Sequence, residues 1–226
     1  MKSISKEFGD CDDTPVNCTT AKVQYIAIKN VEANPSYPII NTKITNILKG
    51  NAPDITSFLD SFINEAKTFY EEFPETSAGY GIELEQRVLF NNPQIFTIET
   101  FNYAYTGGAH GNYGTVFYNF DVATGAIIDL KKILVANYES ALKAIAEPLF
   151  KKAYLEEGMT KYSEAGFYFE HDVFALTDNF AITKEGLKFV YNPYEVAPYA
   201  LGQQEIIIPY TSLKEVIRKD GLLADF

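Results

Sequence analysis

Hydrophobic and polar positions change their period along this chain, and the changes mark out its elements. Residues 21–30 (AKVQYIAIKN) alternate well enough for a strand, the first of a sheet. Asn34-Pro35-Ser36-Tyr37-Pro38 breaks it, and Pro38 suits a first helical position. Ile40, Ile44, Ile47 and Leu48 then recur at helical spacing until Gly50-Asn51-Ala52-Pro53 stops the run. Asp54 is placed as an N-cap for a second helix carrying Ile55, Phe58, Leu59, Phe62, Ile63, Ala66, Phe69 and Tyr70. A stripe that wide predicts a face turned to a core rather than a ligand box.

From Gly79 the period falls to two. Ile82, Leu84, Gln86, Val88 and Phe90 alternate with Glu83, Glu85, Arg87 and Leu89. Asn91-Asn92-Pro93 turns the chain, and a second alternating run covers 95–105. After a glycine-rich interval, residues 115–121 predict a strand. Ala123-Thr124-Gly125 marks a tight hairpin into a further strand at 126–130. Together these make a meander of four or five antiparallel strands. Helical spacing returns over 137–158, where Pro148 is expected to kink or divide the helix and Gly158 to cap it. Residues 159–172 are polar and aromatic and predict a loop holding His171 beside Asp172. Strands follow at 179–183, 186–191 and 205–210, with Pro209 placing the last near a sheet edge. Ser212-Leu213-Lys214-Glu215 reads as a capping box opening a short terminal helix.

The interval between the two central strands is the most distinctive stretch. Tyr105-Thr106-Gly107-Gly108-Ala109-His110-Gly111-Asn112-Tyr113-Gly114 holds four of the chain's 14 glycines and one of its two histidines. Such a density calls for positive φ or close approach of the backbone. The stretch predicts an ordered bend displaying His110, Asn112 and tyrosine rings; the alternative is a plain turn whose glycines serve geometry alone.

Composition narrows the classes. The chain has 226 residues, 46% of them hydrophobic, enough for one large domain or two small ones. A formal net charge of −11 and the lack of clustered Lys/Arg argue against nucleic acid and anionic lipid. The same field would steer a basic protein inward. No run of apolar residues is long enough to span a membrane. The opening residues lack the apolar core of a signal peptide, so the protein is either cytoplasmic or begins after a removed leader. The two cysteines, Cys11 and Cys18, sit in a turn-rich polar arm over residues 1–20 and predict a disulfide and an oxidising compartment. Asp10, Asp12 and Asp13 lack the glycine and distal glutamate of a calcium loop and are expected to be solvated.

Two separated patterns then coincide. The bend is followed by Tyr118-Asn119-Phe120-Asp121 and Thr124-Gly125. Later come Phe180 to Thr183, Gly186-Leu187-Lys188-Phe189, Pro193-Tyr194-Glu195-Val196-Ala197-Pro198-Tyr199-Ala200-Leu201-Gly202 and Ile208-Pro209-Tyr210. Over about residues 80–217 the chain resembles a bacterial extracytoplasmic domain of unassigned function. That domain is found in lysozyme-sensing anti-sigma factors and ahead of the catalytic domain of some peptidoglycan deacetylases. Residues 20–80 resemble the companion region that usually precedes it. The resemblance implies an α+β fold, an antiparallel meander packed against several helices, in two intimately packed subdomains. It divides the chain into an arm at 1–20, a companion region at 21–80 and a main domain at 81–226. It also implies a place outside the cytoplasm, as the mature part of an exported lipoprotein, and binding rather than catalysis. The sequence departs from the family in showing neither the sensor's membrane helix and sigma-binding segment nor a deacetylase domain.

No nucleophile elbow, phosphate-binding loop or His-Glu-x-x-His motif is present, and no cofactor or metal is expected. His110 has three open readings: a base oriented by Glu99 or Asp121, a group whose hydrogen bond shapes the bend, or a ligand contact. Tyr194, Glu195 and Tyr199 either plug a core or form an aromatic rim. The expected binding residues are therefore Tyr105, Thr106, Gly107, Gly108, His110, Asn112, Tyr113, Tyr194, Glu195 and Tyr199. The expected partner is a lysozyme-type muramidase or another basic protein. Peptidoglycan fragments are the alternative, against which the lack of tryptophan counts modestly, and a hydrolase using His110 is the third reading.

Overall fold

A computed structural model of the chain describes residues 1–11, 18–75 and 79–226. Asp12 and Asp13, expected to be solvated, lie outside the described residues. The fold is α+β, and by its contacts the chain divides into two compact units. Unit 1 comprises Met1–Arg87 and Thr100–Gly114; unit 2 comprises Val88–Glu99 and Thr115–Phe226.

Unit 1 opens on strand β1 (Lys2–Phe8), which the sequence pattern leaves without an element, paired antiparallel with β2 (Thr19–Tyr25). Strand β2 stops short of the predicted residue 30 because side chains take over the ladder. Gln86 Oε1 accepts from Ile26 N at 3.3 Å, while Asn41 accepts from Ile28 N and donates to Ile28 O, both at 2.9 Å. Helix α1 (Tyr37–Lys49) carries Pro38 in its first turn and ends at Gly50, whose φ is 53°. Helix α2 (Ile55–Glu72) is capped as expected, Asp54 accepting from Ser57 N at 2.7 Å. This hydrogen bond holds the Asp54 carboxyl below its ordinary pKa. The α1–α2 crossover returns the chain to β3 (Tyr80–Asn91), which pairs with β2 in parallel, so the meander contains one parallel step. The predicted apolar stripe is the core of unit 1. Leu48, Ile55, Leu59 and Ile63 pack on Ala21 and Val23, with Ile4, Phe8, Ile82 and Leu84 alongside.

Strands β3, β4 (Ile95–Tyr105) and β5 (Asn112–Asp121) each contribute residues to both units, and the sheet runs β1-β2-β3-β4-β5. The turn between β3 and β4 is closed by Asn92 Oδ1, which accepts from Gln94 N and Ile95 N. Beyond β5, the strand expected at 126–130 reduces to a single bridge, Phe120 to Ile127. Asp129 caps a one-turn helix there instead, α3 (Leu130–Ile133), by accepting from Lys132 N at 2.9 Å. Helix α4 (Glu139–Tyr154) runs undivided through Pro148 and ends at Leu155, three residues before Gly158.

A second sheet in unit 2, β6 (Phe180–Ile182), β7 (Gly186–Tyr191) and β8 (Gln204–Pro209), is antiparallel throughout, with β8 at an edge as Pro209 suggested. The last helix, α5 (Tyr210–Leu213), starts before the predicted capping box, so Ser212 lies inside it. The Tyr210 hydroxyl donates to Thr183 O at 2.7 Å and fixes that early start. After Leu213 the chain leaves the helix to pair with 133–135 through Arg218 N to Ile133 O and Val135 N to Val216 O.

Candidate functional site

In unit 1 the glycine-rich bend has the geometry its composition asks for. Gly107 and Gly108 take φ of 89° and 97° in succession, a region closed to most side chains. The Tyr105 hydroxyl donates to Gly108 O at 3.0 Å across the turn. His110 Nδ1 lies 2.8 Å from Gly111 O. A carbonyl can only accept, so Nδ1 carries the proton and the ring fastens the bend's exit. The imidazole is exposed, as are Thr106 and Asn112, while Tyr113 is half-buried against Phe101 at 6.2 Å between ring centroids. Gly111 is glycine for a different reason: a Cβ there would overlap the Tyr103 ring. Gly107 faces Tyr80, which stacks on Phe69 of α2 at 5.0 Å. Sequence reasoning missed both rings. Tyr103 was legible only as the outward member of the alternating run Phe101, Tyr103, Tyr105.

The proline-tyrosine strip belongs to unit 2, so the two halves of the expected site fall in different units. Buried Val196 and Ala197 anchor it, while Tyr194 and Glu195 project. Tyr194 has φ of 71°, left-handed for a non-glycine residue, and its N–H donates to Ala197 O at 3.1 Å. Its ring lies 5.7 Å from that of Tyr199. Glu195 Oε1 accepts from Asn192 Nδ2 at 3.1 Å. A further ring, the exposed Tyr168, is tied in by its N–H to Val196 O at 3.0 Å. Tyr194 is exposed and Tyr199 half-buried, so neither ring is closed inside the core.

Several motif residues prove architectural. Asn119, Asn179 and Asn192 use their amides as backbone mimics that join β5 to the second sheet. Asn192 accepts from Thr115 N at 2.7 Å, Asn179 accepts from Phe117 N at 3.1 Å, and Asn119 accepts from Ile182 N at 2.8 Å. Asp121 closes the next turn, accepting from Ala123 N and Thr124 N and pairing with Lys132. Burial pushes its pKa up, but the Lys132 ammonium and the two N–H groups together outweigh that and hold the carboxyl below the ordinary 3.8. These same bonds commit Asp121 to its own turn and remove it as an orienting partner for His110.

A depressed folded-state pKa gives stability that is present above the unfolded value and is lost as pH falls through the folded one. Asp121→Asn is therefore expected to be less stable than wild type at pH 6, by about 1–2 kcal/mol. That gap should shrink steadily below about pH 4. Urea midpoints at pH 6 and pH 3 check this; a gap equal at both values would mean the carboxylate contributes nothing through its charge.

Two family models each match part of the chain. Residues 130–211 match the family described as "Protein of unknown function (DUF3298)", and residues 17–113 match the family described as "Deacetylase PdaC". The bend lies in the second match and the tyrosine strip in the first. The chain is 26% identical over 195 residues to the peptidoglycan-N-acetylmuramic acid deacetylase PdaC of Bacillus subtilis, an alignment that takes in 81% of this chain and 38% of that protein. It thus spans well under half the length of that relative. Two solved structures share the fold. A DUF3298 family protein from Pseudomonas aeruginosa has a TM-score of 0.73 at 19% identity, covering 96% of this chain and 93% of that one. A DUF3298 member from Bacteroides fragilis has a TM-score of 0.71 at 22% identity with the same coverage. The Cys11–Cys18 disulfide is formed, with a Cα–Cα distance of 4.9 Å. No helix among the described residues is long and apolar enough to cross a membrane. The disulfide and the deacetylase relative fit an extracytoplasmic location.

Proposed function

We propose that this chain is a non-enzymatic binding module of the cell envelope, working at the peptidoglycan layer, whose partner is a basic protein of the lysozyme type. The observation that carries the reading is the braced pair Tyr194 and Tyr199 with the exposed Glu195 carboxylate beside them. Rigid tyrosines bury large area at small entropic cost, and a net charge of −11 attracts a cationic partner. Binding rather than catalysis is supported by the commitments of the polar groups. Asp121, one of the two carboxylates that could orient His110 as a base, is held instead by Lys132 and by its own turn.

Titration with hen lysozyme by calorimetry tests the reading. Heat is expected at low salt, weakening as salt is raised, and Tyr199→Ala should weaken binding about tenfold or more, the scale of an interface hot spot. No heat at low salt rejects the basic-protein partner. A second reading is favoured by the 26% identity to a peptidoglycan deacetylase: the ligand is peptidoglycan itself. Pelleting with insoluble sacculi, in the absence of lysozyme binding, would select it.

A further inference from the structure

We infer that the open face of the unit 1 sheet holds a saccharide-binding groove, floored by Gly81 and walled by Tyr103, which takes an uncharged stretch of amino-sugar glycan. The inference rests on the peptidoglycan reading above, names a site for it, and does not involve the tyrosine strip.

The groove follows from the pleat. Alternate residues of β1, β2 and β3 turn toward α2, as the packing of Ile4, Phe8, Ala21, Val23, Ile82 and Leu84 records. The residues between them face the other way. There Glu7, Thr20, Lys22, Gly81 and Glu83 line a groove of about 300 Å³ together with Tyr103 of β4. Its size is at the small end for a ligand pocket.

Gly81 is the telling position. It lies inside β3, opposite Thr20 in the parallel register. The fold does not require glycine there, because an added Cβ would meet only Thr20 Oγ1, at an ordinary 3.6 Å, and its φ is not in the left-handed region. Glycine within a strand weakens it and marks a place where a ligand or another backbone comes close. No backbone crowds Gly81, so its bare surface is left for a ligand.

The wall is prepared as well. The Tyr103 ring lies over Gly111, so the bend leaves room for the ring. Along the rim, Lys22 Nζ and Glu83 Oε1 pair at 3.0 Å across β2 and β3. The pair offers donors and an acceptor while cancelling its own charge, and the Thr20 hydroxyl both donates and accepts. An aromatic face for C–H groups, a flat floor, and donors and acceptors of both kinds around it match a sugar ring better than a simple ion. The site is on a face, not an edge, so it does not suit a peptide strand added to the ladder.

The experiment pellets the protein with insoluble sacculi and follows amide NMR shifts on titration with chitotetraose, a soluble amino-sugar tetramer. Wild type, Gly81→Val and Tyr103→Ala are compared. The expected result is shifts centred on Thr20, Gly81 and Glu83. Pelleting should fall at least tenfold in Gly81→Val and Tyr103→Ala. Gly81→Val should melt no lower than wild type, since valine suits a strand better than glycine. Sacculus binding that both groove variants retain overturns the groove and leaves the peptidoglycan reading standing. Wild type that neither pellets nor shifts overturns both.

Discussion

Phe150→Ala is expected to destabilise unit 2 by about 3–5 kcal/mol, the range for removing a large aromatic from a closed core. Phe150 is fully buried on α4. Its ring lies within 4.8–6.0 Å, centroid to centroid, of Tyr154, Tyr162, Phe167, Phe169, Phe174 and Tyr191. Most of these contacts are edge-on or tilted, the arrangement that aromatic quadrupoles favour. Four of the six partners come from the irregular stretch between α4 and β6, which has few ladder bonds to hold it. Removing their common neighbour should loosen that stretch as a whole. The Tyr162 hydroxyl, bonded to Glu147 Oε1 at 2.7 Å, then loses its lateral support. Denaturant unfolding should show the unit 2 transition at a lower midpoint, and amide exchange over 159–175 should quicken. Phe150→Leu should recover part of the loss. A drop below about 1 kcal/mol would mean the cluster refills the cavity, and unit 2 would not depend on this ring.

The same cluster shows where sequence patterning stops being informative. Residues 159–172 carry aromatic and polar side chains without a period of two or 3.6, and they read as loop. They hold only two single 3₁₀ turns, at Tyr162–Ala165 and Glu170–Asp172, in otherwise irregular chain, yet Tyr162, Phe167 and Phe169 are core. Periodicity reports which face of a regular element is buried, and this segment has no regular face to report. The helices of unit 1 were legible for the opposite reason, since Ile40, Ile44, Leu59 and Ile63 repeat at helical spacing and all are buried. The bend was legible as geometry, because two successive positive φ angles demand glycine. Its consequence for Tyr103 was not, since a ring settling over Gly111 is a contact between a strand and the following loop that spacing does not encode. Strand β1 escaped for lack of alternation in hydrophobicity, with only Ile4 and Phe8 apolar among its residues. Asn119 lies in one of the patterns that carry the family resemblance, but nothing in one dimension says that an amide is standing in for a strand.

Asn119→Ala is the second large effect, and it tests whether that substitution of side chain for backbone holds unit 2 together. Asn119 is 2% exposed and uses both ends of its amide. Its Oδ1 accepts from Thr97 Oγ1 at 3.0 Å and Ile182 N at 2.8 Å, and its Nδ2 donates to Phe180 O at 2.9 Å. Alanine leaves a buried N–H, a buried carbonyl and a buried hydroxyl without this partner. Each such group costs roughly 1–3 kcal/mol when unsatisfied, and since the three are coupled a net loss of about 4 kcal/mol is expected. Asn192→Ala should cost less, because Asn192 is only half-buried and Asn179 also donates to the Thr115 carbonyl, at 2.7 Å. Asn119→Asp separates the contributions: it keeps the acceptor for Ile182 N, loses the donor to Phe180 O and adds a buried charge, so it should be at least as damaging as alanine near neutral pH and milder at pH 3. If Asn119→Ala unfolds within about 1 kcal/mol of wild type, the amide is replaceable by water, and the joint between β5 and the second sheet does not depend on it.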